Sequence, residues 1–202
     1  MSKSVHRNTM PLPASVLSYF IDRPTEMATD LLLAKKRPSV PEDVAWKDLQ
    51  AFYKASLAAK QIEAEHAIFL NEVWEEVCKP MPEPWIGHEP HQQTEDCAID
   101  LASIWGERCF TREFFYADYG CEIATCIGKN EGIQIGFGLW HDSENLLESI
   151  PSAGWEEPDD ILWSPEGAVP INEQIDLQKL RQLAAEGMAF ILDVAKQHQE
   201  GD

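Results

Sequence analysis

Trp155 and Trp163 bracket four carboxylates, Glu156, Glu157, Asp159 and Asp160. Aromatic rings bury well at a protein interface, and acids around them steer and pair with the Lys and Arg of a basic partner. A second group of acids, Glu65, Glu72, Glu75 and Glu76, recurs at helical spacing and forms one stripe. Arrays of carboxylates can also imitate the phosphate spacing of a duplex. These ten residues are the candidate partner-binding set. The competing reading has the two tryptophans capping a core and the acids on an exposed loop tip.

Metal chemistry has one candidate. Cys78, His88, His91 and Cys97 follow a C-x9-H-x2-H-x5-C pattern in a proline-rich stretch. Four N or S ligands are what a tetrahedral zinc site requires. The spacing matches neither compact paired-cysteine pattern, so the preferred reading is a loop with two solvated histidines. Zinc is the alternative, and no other cofactor is expected.

Hydrolysis would need two carboxylates on a divalent cation and a lysine near the attacking water. Glu113, Asp118 and Glu122 offer the carboxylates, but Ala124 stands where an E-x-K lysine would fall, and Lys129 comes too late. There is no G-x-S-x-G nucleophile elbow and no phosphate loop, because Gly128-x-x-x-Gly132 leads into a strand pattern. His141 and Asp142 are adjacent, and on an extended chain adjacent side chains face opposite ways. A metal-dependent hydrolase using the meander carboxylates or the Cys/His quartet is therefore the second reading.

Charge favours the first. The formal net charge is −19, and it is segregated. Residues 1–60 hold nine Lys/Arg and six Asp/Glu, whereas residues 61–178 hold four against twenty-five, a balance of −21. Such a surface repels nucleic acid and anionic lipid and attracts basic proteins at long range. Acidity spent only on solubility has no need to be confined to one stretch. The expectation is an acidic, non-enzymatic inhibitor or decoy that blocks a basic nucleic-acid-handling protein. It would act either as a nucleic-acid mimic against a defence complex or as an immunity protein against a toxic nuclease.

Length and composition bound the rest. At 202 residues, with 44% hydrophobic and 25% charged residues, the chain can bury a core without staples. No apolar run approaches the ~20 residues that span a bilayer. The apolar patch Ala14 to Ile21 is followed at once by Asp22 and Arg23, with no small-residue cleavage site, so no secretory leader is expected. Five cysteines without paired spacing suit a reducing compartment, and a cytoplasmic location is expected.

The elements that must position these residues read as an α+β fold. Residues 1–79 form a helical region and residues 80–202 an α+β region with an antiparallel sheet and a C-terminal helix. Pro13 to Ile21 is a short helix, and Pro24 opens a second with Met27, Leu31, Leu32 and Ala34 as its apolar positions. A capping box at Ser39 to Glu42 starts one long helix running to Cys78, with a break expected near Lys54 to Ser56. Ile62, His66, Phe69, Leu70, Val73 and Val77 share its apolar face, with His66 read as a core histidine. Ala98 to Arg108 is a short helix. Phe110 to Tyr116 is a strand, and Glu122 to Ile127 and Ile133 to Leu139 alternate to complete a meander. Gly136 and Gly138 share one face, so a helix or a tryptophan ring must press close there. Cys121 and Cys126 point to opposite faces, with Cys126 taken as the core residue. A final helix from Asp176 to about Gln199 carries Ile175 and Leu180 as a hydrophobic staple and packs on the sheet.

Overall fold

A computed structural model describes residues 7–33, 45–78, 118–128, 132–142, 144–147, 155, 161–165 and 167–200, together with the backbone of 109–116 and 201. Among these, four helices and an antiparallel sheet make an α+β fold. The long helix lies toward the N-terminus and the last helix closes the chain.

The chain opens with strand β1 (Thr9–Pro11), then helices α1 (Ala14–Ile21) and α2 (Arg23–Leu33). Asp22 caps α2, accepting the Thr25 N–H at 3.1 Å. Helix α3 (Trp46–Val77) follows. It is continuous through Lys54 to Ser56, where a break was expected. No Gly or Pro interrupts residues 46–77, so nothing in the backbone chemistry ends the helix there. The Ser39 to Glu42 capping box lies outside the described residues, as does Ala98 to Arg108.

The sheet is built by β2 (Cys109–Tyr116), β3 (Tyr119–Gly128) and β4 (Gly132–His141), consecutive antiparallel strands with Thr125 opposite Ile135 and Ile123 opposite Phe137. Gly132, with φ +72°, opens β4 in a conformation that suits glycine. The outer edge of β4 is covered along its length by a bridge from Val169 to Ile133, by β6 (Leu162–Trp163) and by β5 (Glu144–Asn145). Ser164 finishes this seam: its hydroxyl accepts the Ile135 N–H at 3.1 Å and its carbonyl accepts from Gln134 at 2.6 Å.

Strand β7 (Gln174–Asp176) pairs with β1 and runs into the C-terminal helix α4 (Leu177–Gly201). The Asp176 carboxylate accepts the Lys179 N–H at 3.0 Å, and Ile175 and Leu180 are both fully buried. That is the staple the sequence predicts. The β1–β7 pairing was not legible, because a three-residue strand has no period to read.

One face of the sheet, carrying Ile123, Thr125, Ile135, Phe137 and Leu139, receives both long helices. Thr125 donates to the Leu70 carbonyl of α3 at 3.4 Å, and Gly187 of α4 sits over Phe137. A Cβ on Gly187 would lie 2.1 Å from the Phe137 ring, so only glycine lets α4 approach this closely. The other face is closed by tryptophans, as the paired glycines imply: a Cβ at Gly136 would meet the Trp163 ring at 2.6 Å, and one at Gly138 the Trp140 ring at 2.0 Å. Strand β4 is therefore buried on both sides through Leu139, beyond the one-sided alternation its sequence suggests.

A single apolar cluster joins helices and sheet, from Met10, Val16 and Phe20 through Leu70 and Trp74 to Phe137, Leu180 and Ile191. His66 lies within it, edge-to-face on Phe20 at 5.5 Å. Two details differ from the sequence reading. Met27 and Leu31 stand exposed and Thr29 is the buried residue of α2, while Cys121 is buried and Cys126 only half-buried. In both cases the period was right and the side facing the neighbouring element was not visible in it.

Candidate acidic interaction surface

The α3 acids divide by how the fold uses them. Glu72 stands exposed, and Glu75 is half-buried. Glu65 is held at the arm: the Ser15 hydroxyl of α1 donates to it, and Gln61 Nε2 donates at 2.7 Å. These two bonds favour the ionised form and hold its carboxyl below the ordinary value, the Ser15 bond contributing most.

Glu76 is engaged by α4. Its carboxylate lies 3.3 Å from Arg181 Nη2, while Arg181 Nε donates to the Glu76 carbonyl at 3.1 Å and Nη1 donates to the Arg7 carbonyl at 2.7 Å. One guanidinium thus ties the end of α3 and the chain before β1 to the last helix, using the fork geometry that suits Arg.

The two tryptophan anchors fall on opposite faces of β4. Trp155 is half-buried on the helix-bearing face, its ring centroid 6.0 Å from that of Phe137 and its edge beside Gly187. Trp163 is half-buried on the other face, over Gly136. Gly136 and Phe137 are consecutive in a strand, so the faces they carry are opposite. Each ring is partly covered by the protein. Glu156, Glu157, Asp159 and Asp160 lie between them in sequence and outside the described residues.

Of the proposed zinc quartet, Cys78 is described and buried. Burial pushes its thiol well above the ordinary value, which disfavours the thiolate a metal needs. His88, His91 and Cys97 lie outside the described residues. Among the described residues, no group of three His, Cys, Asp or Glu is arranged to hold a metal. In the meander, Glu113 is directly opposite Glu122 in register, and Ala124, at the position of the missing lysine, is fully buried.

The sequence reading missed one cluster. Tyr119 Oη and His198 Nδ1 are 3.1 Å apart, and the His141 ring lies 4.9 Å from Tyr119 and 5.1 Å from His198 between centroids. Asp142 joins it, its carboxylate 3.8 Å from His141 Nδ1. His141 and Asp142 do not face apart as on an extended chain, because Asp142 turns back with φ +49° at the strand end. The cluster fastens the last turn of α4 to the ends of β3 and β4. A histidine near the close of a long helix was the available signal.

No helix among the described residues is long and apolar enough to cross a membrane. In comparisons with known proteins, no family model, no curated protein and no solved structure matches this chain.

Proposed function

We propose that this chain is an acidic binding protein that docks on a basic, nucleic-acid-handling protein and blocks its nucleic-acid site. The observation that carries the reading is the segregation of charge, four Lys/Arg against twenty-five Asp/Glu across residues 61–178. A field of that sign accelerates encounter with a basic groove and resists duplex and anionic membrane alike. The contact acids in this reading are Glu72 and Glu75 on α3, with Glu65 and Glu76 beside them, and Glu156, Glu157, Asp159 and Asp160. Trp155 and Trp163 supply aromatic burial on the two faces of β4, and the four acids between them in sequence supply the charge that enters the groove. Both a nucleic-acid mimic and an immunity protein work in this way, and they differ only in which enzyme they silence.

The test is a tagged pull-down from lysate of the natural source, washed at rising salt, followed by assay of the captured protein on nucleic acid. The expected result is a basic protein released by high salt, whose action on nucleic acid stops at one equivalent of this chain. Reversing Glu156, Glu157, Asp159 and Asp160 to lysine abolishes capture. Capture that survives both salt and reversal overturns the reading.

A further inference from the structure

Every large apolar side chain that stands well exposed among the described residues lies on α1, α2 or α3, and four of them are on α3. Trp46 is 73% exposed, Tyr53 64%, Leu57 52% and Ile68 57%. At 3.6 residues per turn these four fall within about 60° of one another, opposite the core-facing His66, Leu70, Val73 and Val77. The stripe runs about 33 Å along the helix. Gln50, Lys60, Gln61 and Ala64 also stand exposed on this face, so the four apolar side chains are anchors in a mixed surface, of the kind that marks an interface.

A line of charge runs beside it. Lys47 and Lys54 occupy one flank in the first half of α3, and Glu65 and Glu72 occupy the same flank in the second half. Lys47, Lys54 and Glu72 are exposed. A helix that is cationic at one end and anionic at the other is complementary to its own copy turned end for end.

We propose that the outward face of α3 is the interface of a homodimer, with the two copies of the helix antiparallel across a two-fold axis that passes outside the helix at the level of residues 58–59. In that arrangement the Tyr53 and Leu57 layers of one copy meet the Ala64 and Lys60 layers of the other. Lys47 then lies within about 3 Å, along the axis, of the level of Glu72 in the second copy, and Lys54 within about 3 Å of the level of Glu65. The two-fold repeats each pair. A parallel two-fold pair would put the charged flanks of the two copies on opposite sides, where Lys47 and Lys54 meet no carboxylate of this flank, so the charges favour the antiparallel direction. One helix pair is at the small end of stable interfaces, which makes the association concentration-dependent. The inference requires no other protein, but it engages Glu65 and Glu72, so on α3 it competes with the acidic-binder reading and leaves that reading the acids at 156–160.

Sedimentation equilibrium of the full chain tests it, with circular dichroism as the control for folding. The wild-type chain is expected to reach twice the monomer mass as concentration rises. Leu57→Asp, at an exposed position, is expected to weaken association by about tenfold or more while the melting curve of the dilute protein is unchanged. Lys47→Glu and Glu72→Lys each weaken it several-fold, and the two together restore it, because antiparallel pairing sets position 47 against position 72. A wild-type chain that stays monomeric at its highest soluble concentration overturns the proposal. So does a dimer indifferent to Leu57→Asp, which would place the contact elsewhere and leave this face to another occupant. A double variant no better than either single overturns the antiparallel arrangement.

Discussion

The helical arm and the sheet body treat apolar surface in opposite ways. In the body, β4 is buried on both faces, α4 lies against one and tryptophans close the other, and no large apolar side chain is left well exposed among the described residues. In the arm, α2 and the first half of α3 present Met27, Leu31, Trp46, Tyr53 and Leu57 to solvent. Charge divides along a similar line, with cations gathered in residues 1–60 and acids beyond. The body has the signature of an element that must hold its shape. The arm has the signature of one built to meet something else.

The widest measurable gap between the two regions is in the cost of losing an apolar side chain. Phe137 is fully buried between Trp155 and Gly187, with its neighbours fixed by the sheet register. Phe137→Ala is expected to cost about 3–5 kcal/mol, the lost transfer energy plus a cavity that rigid strands cannot close. Leu57→Ala, measured by urea unfolding at a concentration too low for association, is expected to fall within about 0.5 kcal/mol of wild type. Comparable losses at the two sites would break the contrast.

Arg181 tests the joint between the regions. Its guanidinium donates to the Glu76 and Arg7 carbonyls and pairs with the Glu76 carboxylate. Arg181→Ala is expected to cost about 2 kcal/mol, because two backbone acceptors and a partly buried carboxylate lose their donor together. Glu76→Gln removes only the ion pair and is expected to cost less than about 1 kcal/mol. Equal effects would mean that the carboxylate, not the carbonyls, anchors α4. Unfolding monitored by tryptophan fluorescence reads both.

What the sequence made legible follows from whether a signal is local. The strand from Ile133 to Leu139 and the stripe from Leu177 to Ala195 depend only on each element's own period, and both elements appear where expected, although the strand is buried on both faces. The pair Gly136 and Gly138 announced a close neighbour, a helix or a tryptophan ring, and the rings of Trp163 and Trp140 fill that place. What was hidden depends on partners distant in sequence. Met27 and Leu31 have a helical period, but nothing local says that Thr29 is the residue covered instead. His141, Tyr119 and His198 meet only because two strand ends and a helix end coincide in space, and Asp142 joins them through a single backbone angle. The tryptophan anchors look like one site along the chain, yet consecutive strand positions send them to opposite faces.

The finest probe of the arm is Glu65, where α1 touches α3 through Ser15. Hydrogen bonds from Ser15 first and Gln61 second favour the carboxylate, so its folded pKa lies below the ordinary value. The folded chain therefore releases this proton more readily than the unfolded one. Linkage gives the sign: the stabilisation is fully present above the ordinary carboxyl range and is lost as pH falls through the lowered folded value. Ser15→Ala removes the larger cause. It is expected to move the Glu65 titration upward in a carboxyl-detected NMR experiment and to flatten the acid-side loss of stability slightly, with no change at neutral pH in the titrations of the body. The effect is small because water screens a carboxylate at this depth. A Glu65 titration unmoved by Ser15→Ala would show that α1 is not docked on α3 through this bond, and that the burial of Val16, Tyr19 and Phe20 holds the arm's first helix without it.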